Sequence, residues 1–345
     1  MDINLLTSQE LQLLRQIIDE SDKIVICVHK SPDGDALGSS LAWAEYLRMC
    51  GKSPGVVIPD AYPDFLQWLP NTEKLVRFDR RPTLAKSLME QADVIFCLDF
   101  NTPSRLEALA EAFNASAAKK VLFDHHLSPD IPAVLSVSHP ALSSASEIVF
   151  RIIWQLGDFE KMNKKIAVPL YCGIMTDTNS FMHSSSYPEI YFIVAQLLTK
   201  RINKDKIYHN VYNTFSEHRL RMTGYVLSEK LKVFPDLNAS YFVLTRAEMR
   251  RFHYIKGDSE GLVNMPLQIK GMKLSISLRE DTLKDNLIWI SLRSVDDFPC
   301  NEMAEQFFNG GGHRNASGGR LYCSVAEAEG VVSRALEAWR GKLEE

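Results

Sequence analysis

The hydrophobic residues of this chain form two kinds of pattern, which alternate over its first half. Short continuous apolar runs, typical of strands buried in a parallel sheet, are separated by stretches with apolar residues at helical spacing. The predicted strands are 23–28, 54–58, 92–99, 119–125 and 133–137. The predicted helices are 8–20, capped by Ser8, and 36–49, 104–113, 146–156 and 163–176. This alternation predicts an α/β domain with a mostly parallel sheet.

The second half has a different organisation. Residues 187–228 are polar and helical in pattern, and we interpret them as a helical connector. Four strands are then predicted, at 231–234, 240–244, 272–279 and 287–293, followed by the glycine-rich segment FFNGGGHRNASGG and a final helix at 325–342. We therefore predict a two-domain α/β protein, with an N-terminal domain at 1–186, the connector at 187–228 and a smaller C-terminal α/β domain at 229–345. The active-site cleft is expected between the two domains.

Acidic and imidazole side chains recur where the predicted elements of the first domain end. His29, Asp33 and Asp35 follow the strand at 23–28, and Asp99 ends the strand at 92–99. Asp124, His125 and His126 stand at the end of the strand at 119–125, and Asp177 follows the helix at 163–176. The carboxyl ends of parallel strands meet at one edge of a sheet, so these side chains can converge there. A cluster of four carboxylates with imidazoles needs a counter-charge. Divalent cations supply it, so the pattern predicts a two-metal hydrolytic centre.

Each motif also has a simpler interpretation. PDGD is an ordinary turn sequence, and Asp99 alone is a common cap or loop residue. In the functional interpretation, Gly34 permits a tight turn that lets Asp33 and Asp35 face different sides of an extended backbone. The helix that begins near Ala36 then directs its amides toward an anion such as phosphate. All the motifs together, each at the end of an apolar element, favour the metal centre.

Composition limits the substrate and the compartment. The 345 residues are 46% hydrophobic and 24% charged, with a net charge of −4, so a long nucleic acid is a poor partner and a short one is favoured. No stretch reaches the ~18 apolar residues of a membrane span, and the N-terminus resembles an amphipathic helix more than a signal peptide. The six cysteines are scattered without CxxC spacing. We interpret them as reduced residues of a cytoplasmic protein.

The C-terminal domain carries candidate substrate-binding residues. A glycine run lets backbone amides approach a phosphate, although it is also common in simple turns. His313 and Arg314 add donors, and Arg279 and Arg293 end two predicted strands, where arginine is also often only a solvated surface residue.

Together these motifs resemble the DHH phosphoesterase superfamily, and most closely its NrnA-type group of nanoRNases and 3′-phosphoadenosine 5′-phosphate phosphatases. The resemblance covers nearly the whole chain, because the family's C-terminal GGGHxxAxG motif is matched by residues 310–318. One departure is Asn179, which stands where the family often has glycine in TDTGxF. Asparagine tolerates the left-handed backbone, so we expect the turn to survive.

The resemblance implies two manganese sites, although ligand type alone leaves zinc, iron and magnesium open. One site would use His29, Asp33 and Asp99, and the other Asp35, Asp99, His125 and Asp177. His126 would contact the scissile phosphate or protonate the leaving group, and Asp124 would orient a neighbouring histidine. The candidate substrate-binding residues are Arg279, Arg293, Gly311, Gly312, His313 and Arg314. Among them Arg293 lies in the segment SLRS at 291–294, which resembles the substrate-binding arginine strand of the family.

The leading hypothesis is a manganese-dependent phosphoesterase that degrades short single-stranded RNA to mononucleotides by two-metal activation of water. Phosphoadenosine phosphate is a second substrate implied by the resemblance. The rival enzyme is a phosphodiesterase for cyclic or linear dinucleotides such as c-di-AMP, pApA or pGpG, and the non-enzyme rival is a nucleotide-binding sensor. Neither a membrane nor a long duplex nucleic acid is expected as a partner. The sequence leaves the oligomeric state open, and a homodimer is one possibility.

Overall fold

The computed structural model describes residues 2–344 and divides the chain after Thr214 into two compact units. The helices of the predicted connector are shared between them. α7 (Pro188–Thr199) and α8 (Lys204–Tyr212) lie in the first unit, whereas α9 (Glu217–Tyr225) lies in the second. Among the described residues, no helix is long and apolar enough to cross a membrane.

The first unit is built on a six-stranded sheet in which every pairing is parallel. Its strands are β1 (Ile24–Cys27), β2 (Gly55–Ile58), β3 (Val76–Arg77), β4 (Val94–Leu98), β5 (Lys119–Asp124) and β6 (Leu135–Ser138). Their spatial order is β3-β2-β1-β4-β5-β6, the order of a doubly wound sheet. Strands β1 and β4 are fully buried, as their continuous apolar runs predict. The predicted mostly parallel α/β fold is confirmed.

The remaining helices of the first unit cover both faces of this sheet. They are α1 (Ser8–Glu20), α2 (Gly34–Met49), α3 (Pro82–Gln91), α4 (Ala110–Ala115), α5 (Ala145–Gln155) and α6 (Lys164–Asp177). Two sequence expectations were wrong here. The cap of α1 is Thr7, because Thr7 and Glu10 form a reciprocal capping box. The predicted helix at 104–113 is a 3₁₀ segment, Pro103–Leu109, followed by α4, because the backbone of Glu107 (φ 50°, ψ −120°) is not helical.

Glycines allow α2 and α6 to pack in close contact. A Cβ atom on Gly38 would lie 2.6 Å from the Pro169 carbonyl oxygen and 2.9 Å from the Gly173 Cα. A Cβ atom on Gly173 would lie 2.8 Å from Asp35 Oδ1. This contact brings the start of α2, which carries Asp35, close to the last turns of α6, which ends in Asp177.

The second unit contains a six-stranded mixed sheet of order β11-β12-β10-β9-β8-β7. All neighbours are antiparallel except β8 and β9, which are parallel. Its strands are β7 (Lys232–Phe234), β8 (Ala239–Leu244), β9 (Leu274–Glu280), β10 (Ile288–Ser294), β11 (Gly311–His313) and β12 (Ala316–Leu321). Besides α9, its helices are α10 (Arg246–Arg251), α11 (Cys300–Phe307), α12 (Val325–Ala338) and α13 (Arg340–Glu344). The predicted second α/β domain is confirmed.

Two details of this unit differ from the sequence expectations. The glycine-rich segment, for which no strand was predicted, forms the β11–β12 hairpin. Some of its glycines are required by close packing, since a Cβ atom on Gly312 (φ 139°) would lie 2.7 Å from the Ala316 carbonyl oxygen. The predicted helix at 325–342 is two helices, because the backbone leaves the helical conformation at Trp339.

We expect Gly38→Ala to destabilise the protein by about 1–3 kcal/mol, because backbone atoms of α6 leave no space for a methyl group. Gly224→Ala is the matched control, since Gly224 is also helical but no atom lies within 4 Å of the place that its methyl group would occupy. That change should be neutral or stabilising by up to about 1 kcal/mol. Urea unfolding of the two variants checks both expectations, and equal stability of the two variants would contradict the packing argument.

Candidate metal centre

The acidic and imidazole residues singled out in the sequence converge at the carboxyl edge of the parallel sheet. His29 follows β1, Asp99 follows β4, and Asp124 ends β5, with His125 and His126 directly after it. The strand order reverses between β1 and β4, and ligands of open α/β sheets bind at such a switch point. Asp33 and Asp35 are added by the start of α2, and Asp177 by the end of α6.

A first set of donors consists of His29, Asp33 and Asp99, whose ligand atoms lie within 4.8 Å of one another. The Nε2 atom of His29 is 3.3 Å from Asp99 Oδ2 and 3.8 Å from Asp33 Oδ2. The other ring nitrogen, Nδ1, is 2.8 Å from the Lys30 carbonyl oxygen. A hydrogen bond there requires the proton on Nδ1, so the Nε2 lone pair is directed to the site, which is the arrangement of a metal-binding histidine.

A second set consists of Asp35, His125 and Asp177. The Nε2 atom of His125 is 3.4 Å from Asp177 Oδ2 and 3.9 Å from Asp35 Oδ2, and its Nδ1 atom is 3.3 Å from the Leu142 carbonyl oxygen. Both carboxylate oxygens of Asp35 accept backbone hydrogen bonds at the start of α5, from Ala145 at 2.6 Å and from Ser146 at 2.9 Å.

Asp99 connects the two sets through its two oxygens. Oδ2 lies 3.3 Å from His29 Nε2, and Oδ1 lies 3.4 Å from His125 Nε2. The residue is almost fully buried and has a left-handed backbone (φ 61°), a conformation that aspartate adopts more readily than most residues. This is the arrangement expected of a carboxylate that bridges two neighbouring cations.

His126 and Asp124 form a separate pair beside Asp99. The Asp124 carboxylate accepts from the backbone amide of His126 at 3.0 Å and lies 2.8 Å from its Nδ1 atom. The Asp124 side chain is fully buried. The proton on Nδ1 is thereby held by Asp124, which leaves Nε2 as the nitrogen that can exchange a proton.

Burial and crowding of charge shift the pKa values of these groups. Loss of hydration, with Asp99 and Asp177 nearby, raises the pKa of Asp35 well above its usual value. Loss of hydration inside the cluster, with Asp99 and Asp33 nearby, raises the pKa of Asp177 to about 7, although its side chain is 30% exposed. For His125, burial alone would lower the pKa, but Asp177, Asp99 and Asp35 outweigh it and raise it well above 6.5. The pKa of His29 is raised in the same way by Asp99 and Asp33. Without cations the cluster therefore retains protons.

Two local expectations about the start of α2 were wrong. The amides of Asp35 and Ala36 are not available to a phosphate, because Asp33 caps this helix and its Oδ1 atom accepts from both amides, each at 3.0 Å. Asp35 lies inside the helix and not on extended backbone. Gly34 is required by packing, since a Cβ atom there would lie 2.8 Å from the Thr176 Cβ atom.

In the second unit, the structure groups some of the predicted substrate-binding residues and separates others. Arg293 and His313 both pair with Ala316 across neighbouring strands, and Gly311 and Gly312 precede His313 on the edge strand β11. Arg279 pairs with Trp289, which lies four residues before Arg293 on β10. Arg279 is therefore about 14 Å from Arg293 along the strand direction. Arg314 lies in the hairpin turn and forms an ion pair with Asp297 at 3.1 Å.

Comparison with known proteins agrees with this geometry. The family described as "DHH family, N-terminal domain" matches residues 23–174. An exopolyphosphatase-related protein from Bacteroides fragilis, whose structure is solved, is 47% identical, covers 99% of this chain and 100% of that chain, and has a TM-score of 0.92. The chain belongs to the DHH family. It is therefore a metal-dependent phosphoester hydrolase, and the enzyme class expected from the sequence is confirmed.

Two curated relatives of this DHH protein have named activities. The bifunctional oligoribonuclease and PAP phosphatase NrnA of Thermus thermophilus is 26% identical over 97% of this chain and 95% of its own length. The cyclic-di-AMP phosphodiesterase PdeA of Listeria monocytogenes is 25% identical over 96% of this chain. The match spans 50% of PdeA.

One further residue near the first donor set, Arg105, belongs to none of the motifs in the sequence. Its positive charge acts on His29 and opposes the rise of the imidazole pKa. The Lys30 amide donates to the Arg105 carbonyl oxygen at 2.8 Å, which attaches the Arg105 segment to the loop after β1. The side chain is half-buried, and within residues 2–344 its guanidinium has no ion pair or hydrogen bond. The one feature of the sequence that could have indicated a role for Arg105 is its position six residues after Asp99.

We expect the metal-free protein to lose stability as the pH rises from about 5 to 8. The folded state keeps protons on Asp177 up to about pH 7 and on His29 and His125 above their usual range, whereas the unfolded chain releases them earlier. Because the folded state then binds more protons than the unfolded state, its free energy of unfolding falls with pH.

Thermal unfolding of chelator-treated protein at pH 5.5 and 7.5 measures this effect. Saturating Mn²⁺ should remove most of the loss at pH 7.5, because the cations replace the protons, and Asp177→Asn should reduce the slope in metal-free protein. A metal-free protein that is more stable at pH 7.5 than at pH 5.5 would contradict the assignment of these shifts.

Proposed function

We propose that this protein hydrolyses phosphodiester bonds of short single-stranded oligoribonucleotides to release mononucleotides, using two divalent cations. The observation that carries the proposal is the placement of Asp99, whose two oxygens face two separate sets of donors. Such a pair of sites is the arrangement used by enzymes that cleave phosphoester bonds with two metal ions.

The donor sets fit divalent cations well. His29, Asp33 and Asp99 would hold one ion, and Asp35, Asp99, His125 and Asp177 the other. Mixed imidazole and carboxylate donors suit manganese, which we propose as the natural metal. When bound, the ions supply Lewis acidity, which makes water a stronger nucleophile and offsets charge on the phosphoryl oxygens.

His126 is the proposed proton donor to the leaving oxygen. Its Nδ1 proton is held by Asp124, so a proton on Nε2 is the one available for transfer. The buried Asp124 carboxylate fixes the orientation of the ring. The same pair also suits contact with a phosphoryl oxygen before bond cleavage.

Arg105 is the proposed phosphate-binding group of the first unit. An arginine without an acidic partner among residues 2–344, near a set of metal ligands, suits a substrate that brings its own negative charge. In the second unit, the row formed by Arg293, His313 and the Gly311–Gly312 backbone is the proposed binding site for another part of the substrate. Arg279 and Arg314 lie outside this row, and we give them no role in binding the reacting phosphate.

The named relatives support the substrate class and also a second candidate. The oligoribonuclease and PAP phosphatase activities named for the Thermus relative favour short RNA, with 3′-phosphoadenosine 5′-phosphate as a further substrate. The Listeria relative favours cyclic-di-AMP as the alternative. We also propose a location in the reducing cytoplasm, which the four buried free cysteines support: Cys27, Cys97, Cys172 and Cys300.

Product analysis on a substrate panel with Mn²⁺ tests the proposed function. The panel contains RNAs of two, three, five and 24 nucleotides, pApA, pGpG, cyclic-di-AMP, phosphoadenosine phosphate and tripolyphosphate. We expect mononucleotides from the short linear RNAs, with kcat/KM at least ten times higher than for the 24-mer or cyclic-di-AMP.

Asp99→Asn is the inactive control for this panel, because asparagine tolerates the left-handed backbone but cannot bridge two cations. Faster cleavage of cyclic-di-AMP than of any linear RNA would replace the proposal by the second candidate. Retention of activity by Asp99→Asn, or after removal of metal by a chelator, would overturn the two-metal proposal.

For Arg105→Ala we expect KM for a short RNA to rise about 10- to 100-fold, because the variant loses one or two hydrogen bonds to a charged phosphate. Arg105→Lys should recover part of the loss, since it keeps the charge but not the fork of donors. Arg80→Ala, an exposed arginine of the same unit, is the matched control and should behave like wild type. An unchanged KM in Arg105→Ala would remove Arg105 from the substrate site.

A further inference from the structure

One short segment, which runs from the end of the loop after β6 into the first turn of α5, orients two of the three residues in the second donor set. The Leu142 carbonyl oxygen lies 3.3 Å from His125 Nδ1, and the amides of Ala145 and Ser146 donate to the two oxygens of Asp35. The position of this segment therefore determines where both ligands point.

A buried carboxylate, Glu147, holds that segment in place. Its Oε2 atom accepts from the Ser143 amide at 2.9 Å, the Ser143 hydroxyl at 2.7 Å and the Tyr187 hydroxyl at 2.5 Å. Its Oε1 atom accepts from Arg151 Nε at 2.8 Å and from Arg151 Nη2 at 2.6 Å. The Glu147 side chain is fully buried, and Arg151 is 5% exposed.

Capping of α5 does not account for this network. Ser144 already caps the helix, since its hydroxyl accepts from the Glu147 amide at 3.0 Å. In a capping box, Glu147 would accept from the amide of Ser144, but here it reaches one residue further, to Ser143. Burial of an ion pair is costly, and apolar residues usually give as much stability, so such a network is better explained by the geometry it imposes.

Tyr187 links the same carboxylate to the segment that follows the third ligand. It lies ten residues after Asp177, at the start of α7, and its hydroxyl oxygen also accepts from the Ser143 amide at 3.0 Å. Burial and the negative charge of Glu147 keep the pKa of Tyr187 well above its usual value, so the hydroxyl stays a donor. Glu147 therefore connects the segment that orients Asp35 and His125 with the segment that follows Asp177.

The first donor set has different supports. His29 is oriented by the Lys30 carbonyl oxygen, and Asp33 by the first amides of α2. None of these groups contacts Glu147 or Tyr187 among the interactions of residues 2–344.

We propose that Glu147 and Tyr187 are positioning residues that set the affinity of one cation only, the one held by Asp35, His125 and Asp177 together with the shared Asp99. The inference rests on the proposed two-metal function, and it adds that the two sites are tuned separately. Loss of the Tyr187 hydroxyl should release the 142–147 segment and weaken this cation, while the cation at His29 and Asp33 keeps its affinity.

Tyr187→Phe tests the proposal, because it removes one oxygen and keeps the ring. Calorimetric titration with Mn²⁺ should show two binding events in the wild type. In the variant one event should be weakened up to about 10-fold, the lower end of what is typical when a direct partner of a metal ligand is lost, because Tyr187 acts on the ligands through the 142–147 segment. Electron paramagnetic resonance at one equivalent of Mn²⁺ per site should change from coupled neighbouring ions to isolated ions. Glu147→Gln, which keeps the shape of the side chain, should produce the same asymmetric loss.

Tyr46→Phe is the matched control. Like Tyr187, Tyr46 has a hydroxyl that donates to a carboxylate, here Asp158 at 2.9 Å, but it does not contact the donor sets. It should lose comparable thermal stability and keep both Mn²⁺ affinities.

Each outcome of this experiment has one meaning. Unchanged binding in Tyr187→Phe, or equal weakening of both cations, would overturn the positioning role. A wild-type protein that binds fewer than two cations would instead overturn the proposed two-metal function, so failure of one proposal is distinguishable from failure of the other.

Discussion

Repulsion between carboxylates at one edge of the parallel sheet is the constraint on which this site depends. Asp35, Asp99 and Asp177 all lie within 3.9 Å of a single atom, His125 Nε2. Asp35 and Asp99 are almost fully buried, so water screens this repulsion poorly. The metal-free protein can relieve it only by holding protons, whereas divalent cations relieve it without protonating the ligands. The negative charges that destabilise the metal-free site are therefore the same charges that bind the cations.

Backbone amides hold two of the ligand carboxylates in position independently of any ion. Asp33 is fixed by the first amides of α2, and Asp35 by the first amides of α5. An amide hydrogen bond directs a carboxylate but does not neutralise it, so the charge is kept in place for a cation. The glycine contact between α2 and α6 adds a further constraint, because it sets how near Asp177 comes to Asp35. The ligand geometry is thus built into helix ends and one close helix contact.

The sequence predicted the strand-end ligands because continuous apolar runs imply a parallel sheet, and a parallel sheet has one carboxyl edge. It could not predict contacts set by tertiary packing. The amides that bind Asp35 are 110 residues away along the chain, and the role of Gly34 appears only when α6 packs against it. The antiparallel register that separates Arg279 from Arg293 is also invisible in two similar strand sequences. Two-residue β3 was missed because it has too few positions to show a period.

The metal centre alone does not explain which substrate this protein prefers. Relatives named as an oligoribonuclease and as a cyclic-di-AMP phosphodiesterase both match nearly the whole of this chain, and both reactions cleave a phosphodiester bond. Selection must therefore depend on groups that contact what differs between the substrates. A linear oligonucleotide has ends, and a terminal phosphate adds negative charge that a cyclic dinucleotide lacks. Hydrogen-bond donors of the second unit, such as Arg293 and His313 on their shared row, are the kind of group that can sense this difference.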